Sequence, residues 1–416
     1  MTRKRKAVGV VMLLFVLTRF SHPLDAQDWT QWRGPGRDGA FVSFAGSKAW
    51  PDQLKKIWQV AVGTGYSSPL LVNKRIYLLT RQGEEEVIRC LNFDTGQQIW
   101  RDAYPAPYTM NPVARTHGKG PKSTPALSAG NLFTLGISGI LSCYQADTGK
   151  LRWRRNFAGE FKSTSPYYGT ATSPLIERGL VIAYIGGHDS GALMAFDVES
   201  GKTVWSWTGD GPSYSSPIIA ELAGMRQVVT QSQKKIIGVS AADGTLLWSI
   251  PFTTAYMQNI ITPLLFRNTL ILSGLDKGVM AVKPVRSGGE WRTDLVWENP
   301  AVSFYMSNPV LNGTLLFGMS HKNRGQFVAL DATTGRTVWT TTGREGDNAA
   351  ILTAGDKLFL LTDDAELIVA SAGGTAFEPL RRYTVASSPT WANPLISGKH
   401  ILVKDAETLT LWSFEE

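Results

Sequence analysis

Between residues 172 and 209 the chain passes through short apolar runs separated by polar turns. Ser173-Pro174-Leu175-Ile176 opens the stretch, with proline at a strand start, where no ladder donor is needed. Leu180 to Ile185 is β-branched and aromatic, as in a buried strand. Ala192 to Asp197 is a third run. Glu199-Ser200-Gly201 reads as a tight turn whose glycine takes a left-handed backbone position. Thr203-Val204-Trp205 follows as an outer strand. The pattern predicts a unit of four short strands.

That unit recurs. A turn glycine is followed four residues later by tryptophan at Gly96/Trp100, Gly149/Trp153, Gly201/Trp205, Gly244/Trp248 and Gly335/Trp339, and a degenerate copy ends at Trp297. A second register is Ser, Thr or Asn before proline: Ser68-Pro69, Thr124-Pro125, Ser173-Pro174, Ser216-Pro217, Thr262-Pro263, Asn308-Pro309 and Asn393-Pro394. Ala349-Ala350-Ile351 fills the one vacant slot. Pro69 and Pro394 are 325 residues apart over seven intervals, about 46 each. Four-stranded units repeated at such a period are propeller blades.

The sequence therefore predicts an all-β, eight-bladed β-propeller. Its blades fall near 64–104, 123–157, 172–209, 214–252, 261–299, 307–343 and 348–386, with a split eighth at 392–414. The last unit lacks an outer strand, and Lys56-Ile57-Trp58 supplies one, so the N-terminal strand closes the ring and removes its open edges. Seven blades is the alternative, because the unit at 348–386 is the most degenerate. The recurrent Trp58, Trp100, Trp153, Trp205, Trp248, Trp297 and Trp339 are expected to pack between blades.

Composition changes this picture at the N terminus. Arg3 to Lys6 form a basic cluster, Ala7 to Leu17 an apolar run of signal-peptide length, and Leu24-Asp25-Ala26 a cleavage site. Residues 1–26 read as a signal peptide, 27–54 as an N-terminal clasp and 55–416 as one propeller. No cysteine follows the apolar run, so no lipid anchor is expected. No later stretch approaches the ~18 apolar residues of a membrane helix. The net charge of +8 falls to +4 without the leader, since five basic residues and one acid leave with it. So weak a bias argues against a nucleic-acid partner. A periplasmic or secreted location is expected.

The Gly-to-Trp unit resembles the repeat of the pyrroloquinoline quinone (PQQ) dehydrogenases and of the assembly lipoprotein BamB. It is most similar to secreted PQQ-like propellers that begin Trp-x-x-Trp-Arg-Gly-Pro. Here that segment is Trp29-Thr30-Gln31-Trp32-Arg33-Gly34-Pro35, followed by Arg37-Asp38-Gly39, and the same group carries the insertion found here at His117 to Pro125. The resemblance implies one of two activities. One is a non-catalytic, BamB-like binding or assembly scaffold, a monomeric ring with a protein partner in the cell envelope and no cofactor. The other is a quinoprotein oxidoreductase using PQQ and calcium on an alcohol or sugar. The adjacent cysteine pair of the dehydrogenases is missing: Cys90 and Cys143 are 53 residues apart, in equivalent slots of consecutive blades. Both read as small buried thiols, too far apart for a disulfide.

Candidate chemistry is sparse. No histidine spacing matches a zinc site, and no catalytic residue or metal ligand is assigned. His188-Asp189 reads as a solvated turn. His117, Lys119 and Lys122 lie in a long excursion at 105–122, either an anion-holding loop or a solvated basic one. The residues just before each inner strand should share one face around the central channel. They are Tyr66, Lys122, Tyr168, Tyr214, Tyr256, Gln258, Asn259, Tyr305, Asn308, Asn348, Trp391 and Asn393. Tyrosines and amides on a funnel suit a planar or polar ligand or a peptide, or pack loop on loop. Trp29, Trp32 and Arg33 are expected to clasp the side or base of the ring, arginine stacked on tryptophan. N-terminal sequencing of the exported protein should begin at Gln27; a chain retaining Arg3 to Lys6 would refute cleavage.

Overall fold

The computed structural model describes residues 27–41, 44 and 50–415; the expected signal peptide lies outside them. Eight four-stranded antiparallel blades form around one axis, the innermost strand being the shortest in seven of them. Blade three is typical, with strands Leu175–Glu177, Leu180–Gly187, Ser190–Asp197 and Thr203–Trp207. The eighth sheet joins Leu395–Ser397, His400–Lys404 and Thr408–Ser413 to the N-terminal strand Lys55–Ala61. The degenerate unit is a complete blade, Ala349–Ala354 to Pro379–Thr384, which excludes the seven-bladed alternative.

The four-residue step from glycine to tryptophan has a geometric cause. In all eight outer strands the pairing register shifts by one residue, leaving Ile57, Ile99, Arg152, Val204, Leu247, Val296, Val338 and Leu380 unpaired. A bulge adds one residue to one strand and changes which side chain faces the neighbour. In seven blades that side chain is the repeated tryptophan. The ring then lies on the next blade: Trp100 Nε1 donates to Ala146 O at 2.8 Å, and a Cβ on Gly149 would sit 2.5 Å from the Trp100 ring. Trp58, Trp153, Trp205 and Trp297 donate in the same way to Phe93, Val198, Ala241 and Ala332. The turn glycine thus serves twice, through its φ of +72° and its missing side chain.

Two tryptophans depart from this bond while still packing between blades. Blade five has no turn glycine in this slot, and Trp248 Nε1 donates instead to Gln227 Oε1 of its own blade at 2.7 Å. Trp339 packs on Phe377 with ring centroids 5.5 Å apart.

The second register is a belt around the channel. The N–H of Asn393 donates to Ser68 Oγ, that of Ser68 to Thr124 Oγ1, that of Thr124 to Ser173 Oγ and that of Ser173 to Ser216 Oγ, at 2.9–3.1 Å. Thr262 N–H reaches Asn308 Oδ1 at 2.7 Å. Each link joins neighbouring blades, which accounts for the short polar side chain ahead of five of the seven prolines. Cys90 and Cys143 are free, buried thiols opposite Trp100 and Trp153 in their sheets.

The N-terminal segment corrects an expectation. It does not clasp the side or base but crosses the central channel as a plug. Trp29 pairs with Leu71 of blade one, Thr30 O accepts from Leu127 N–H of blade two, and Trp32 Nε1 donates to Thr262 of blade five. Arg33 Nη2 donates to Pro309 O of blade six at 2.5 Å, and Arg37 to the carbonyls of Ser173 and Pro174 of blade three at 3.1 and 2.9 Å. Ala40–Phe41 runs parallel to Ala349–Ala354 of blade seven. Both guanidiniums are buried and engage backbone carbonyls rather than the tryptophan rings. Burial lowers their pKa values to about 10 for Arg33 and about 9 for Arg37.

Gly149→Ala should destabilise the ring by about 3 kcal/mol, combining a left-handed backbone with overlap on Trp100. Gly130→Ala, at φ +76° with nothing within 4 Å of its Cβ, should cost only about 1–2 kcal/mol. Equal losses in denaturant titrations would refute the double role of the turn glycine.

Candidate functional site

The connections into the inner strands gather on one face, as expected. Their side chains line an open-mouthed cavity of about 160 Å³ at the mouth of the channel. Of the fourteen candidates, Tyr66, His117, Lys122, Tyr168, Tyr214, Gln258, Tyr305, Asn308, Asn348 and Trp391 line it. The plug supplies Trp32 to the wall, and Thr262 and Ser216 contribute from the belt. Trp32 was not legible as a lining residue, because its segment carries no repeat that would place it.

Four candidates lie elsewhere. Lys119 turns outward to an ion pair with Glu84 at 3.1 Å, so the three cationic residues of the excursion do not act together. Tyr256 is 77% exposed on a short 3₁₀ turn and does not line the cavity. Asn259 is buried, and its Nδ2 donates to the carbonyls of Ser232, Gln233 and Phe252. Its oxygen accepts from Thr254 at 2.9 Å, so every polar atom of the amide is engaged in holding loops. Asn393 is buried in the belt.

The long excursion is held down by its sequence. Asn111 caps the 3₁₀ helix Pro112–His117 through the Val113 N–H. The amides of Tyr66 and Ser67 both donate to Pro121 O, at 2.8 and 3.1 Å. Gly120 passes directly over the Gly65 backbone, where a Cβ would overlap. This close approach seats His117 and Lys122 beside the aromatic wall. Tyr66 and Trp391 stack at 5.4 Å with a 20° tilt. The His117 ring meets Tyr66, Trp391 and Tyr168 edge-on at 5.5–6.1 Å. His188 is not a solvated turn residue: its ring packs edge-on against Tyr167 at 4.5 Å and behind Tyr214 at 6.1 Å.

Charge is uneven. The lining carries one lysine and no aspartate or glutamate. Lys122 Nζ lies 5.8 Å from the Tyr66 ring centroid, buried and without a hydrogen-bond partner among the described residues. Burial lowers its pKa to about 8. Burial, and then the Lys122 charge, lower the pKa of His117, which favours its neutral form at pH 7. Burial also raises the pKa values of Tyr66, Tyr214 and Tyr305, keeping them as phenols.

An unpaired buried ammonium is a stability defect. The unfolded chain holds this proton up to about pH 10.5 and the folded chain only to about 8. Native stability is therefore reduced below pH 8 and recovers as pH rises toward 10.5. Lys122→Met should raise stability at pH 7 by on the order of 2 kcal/mol. Urea titrations should show that gain fading between pH 8 and 10.5; a gain independent of pH would refute the burial cost.

The model of the outer membrane protein assembly factor BamB family matches residues 84–341 and 322–416. The BamB of Shewanella oneidensis is 23% identical over 257 residues, covering 59% of this chain and 62% of that protein's length. The Burkholderia pseudomallei BamB is 22% identical, covering 75% of this chain and 86% of its own. Among solved structures, BamB from Moraxella catarrhalis superposes with a TM-score of 0.62 at 17% identity, covering 87% of this chain and 98% of that one. The quinohemoprotein alcohol dehydrogenase of Comamonas testosteroni gives 0.69 at 13% identity, covering 93% and 80%. With the repeat, the eight blades and the family match in agreement, this chain belongs to the BamB family of PQQ-like β-propellers.

Proposed function

We propose that this propeller is a non-catalytic binding scaffold of the cell envelope, working through its funnel face and the excursion at 105–122. The observation that carries this reading is the funnel's chemistry. Its lining is rich in aromatic rings and amides and contains no carboxylate, which suits recognition of a ligand or chain segment. The likeness to BamB proteins, which are outer membrane assembly factors, supports an envelope location and a protein partner. Tyr256 and Val113, exposed by 77% and 64% on connections of this face, give such a partner apolar footholds. No helix of the described residues is long and apolar enough to cross a membrane. We read the protein as an exported, monomeric ring that binds no nucleic acid.

The dehydrogenase neighbours raise the alternative of PQQ with calcium, and the residues here do not fit that pair. Calcium requires six to eight oxygen ligands, carboxylates among them. The cavity lining has none, and its three amide oxygens are already hydrogen-bonded. The described residues contain no group of three His, Cys, Asp or Glu placed to hold a metal. Cys90 and Cys143 sit within separate blades, away from the cavity lining.

Protein supplied with PQQ and calcium should show no quinone absorbance and no dye-linked oxidation of alcohols or sugars. Photo-cross-linkers at Val113 and Tyr256 should capture an envelope protein in the native cell, and one at Lys150, in an outer-edge turn, should not. Quinone turnover, or equal capture from both places, would overturn the reading.

A further inference from the structure

Three amide side chains line the half of the cavity built by blades five to seven: Gln258, Asn308 and Asn348. The oxygen of each is taken. Asn308 Oδ1 accepts from the Thr262 N–H at 2.7 Å, and a backbone N–H can only donate, which settles the orientation of this amide. Asn348 Oδ1 accepts from Ser307 Oγ at 2.6 Å, while that hydroxyl itself accepts from the Ala349 N–H. Gln258 Oε1 accepts from the Tyr305 hydroxyl. Among the described residues, no protein group takes up the three NH₂ groups. Across the channel, before blade two, stands the unpartnered ammonium of Lys122.

The cavity is therefore rich in donors at both ends and has no charged acceptor. The amide donors are open to the cavity, whereas the Lys122 ammonium is buried, and an unpartnered buried charge costs the most free energy. The complementary ligand presents acceptors at both ends and a negative charge at the Lys122 end. Between the ends the walls are rings: Trp32, Tyr66, Trp391 and Tyr168. The volume of about 160 Å³ matches the ~150 Å³ space that holds a benzene molecule in an apolar cavity.

We infer that the funnel binds a single flat ring carrying a carboxylate, the carboxylate paired with Lys122 and an oxygen at the opposite end received by the amides. The source is either a free aromatic acid or the carboxyl terminus of a chain ending in tyrosine, whose phenol and α-carboxylate, two carbons off the ring, present the same pair of groups. The inference rests on the binding-scaffold reading and names what its central site takes.

The test uses the intact protein, the fluorescence of Trp32 and Trp391, and calorimetry. 4-Hydroxybenzoate should bind at least tenfold more tightly than 4-hydroxybenzamide, which differs only in charge and one atom. Lys122→Met should remove that preference while the circular dichroism of the ring persists. Asn308→Asp keeps the bond to Thr262 and replaces the free NH₂ with an oxygen, and should weaken 4-hydroxybenzoate severalfold. Short peptides ending in tyrosine, with free or amidated termini, separate the two sources: tight binding of the free-acid peptide identifies a chain terminus, and binding of 4-hydroxybenzoate alone a free acid. Equal affinity for acid and amide, or acid binding unchanged in Lys122→Met, overturns the inference. If that occurs while rim cross-links persist, the scaffold reading stands; quinone turnover would sink the scaffold reading itself.

Discussion

A tryptophan lying flat on its neighbour's turn glycine is the contact on which the ring depends. It occurs at five of the eight junctions, from Trp58 on Gly96 to Trp297 on Gly335. Each instance needs three things together: a bulge that turns the indole toward the next blade, a left-handed turn, and a missing side chain at that turn. Because the contact joins consecutive units, one sequence unit carries half of two interfaces. The first instance is supplied by the N-terminal strand acting within blade eight, so the contact that binds neighbouring blades also seals the ends of the chain.

Inside that outer lock the belt of Ser, Thr and Asn side chains ties inner strands together, and the plug braces them. Arg33 and Arg37 reach blades six and three from a segment that also touches blades one, two, five and seven. Taking two guanidiniums out of water is unfavourable. Backbone carbonyls at the inner strand starts offset part of that cost, and the result is a stoppered channel. The funnel has Trp32 in its wall because the channel is filled.

The cavity above the plug combines features that stability alone does not favour. An ammonium is buried without a partner, and amide donors stand free after their oxygens are used. Some buried polar groups elsewhere are fully matched, as in Asn259 with its four bonds or Lys404 with three carbonyls, whereas Arg89, His188 and Gln231 also keep buried atoms without a partner. What distinguishes the funnel is that an unmatched ammonium and free amide donors face one cavity.

Much of the fold was legible in the sequence because it repeats. Every blade uses the same bulge, and most repeat the turn glycine and the belt side chain, so the unit leaves its trace every forty-odd residues, and the closing strand at Trp58 could be read from one missing copy. The site was legible only in outline. The rule that connections before inner strands share a face brought nine of its twelve residues to the cavity, and the excursion added His117, but neither could say which way a side chain turns. Lys119 faces solvent and Lys122 the funnel, three residues apart, because Gly120 passes over Gly65 and redirects the chain between them. Asn259 and Gln258 are adjacent, and only one lines the cavity. The plug left no periodic trace, since each of its contacts is made once and with a different blade. The sequence by itself determined the blade unit, its interlock and the closure, and left the count at eight with seven as the alternative. Only the tertiary structure decided where the N-terminal segment lies and which polar atoms stay unmatched, because those follow from contacts between parts of the chain that share no pattern.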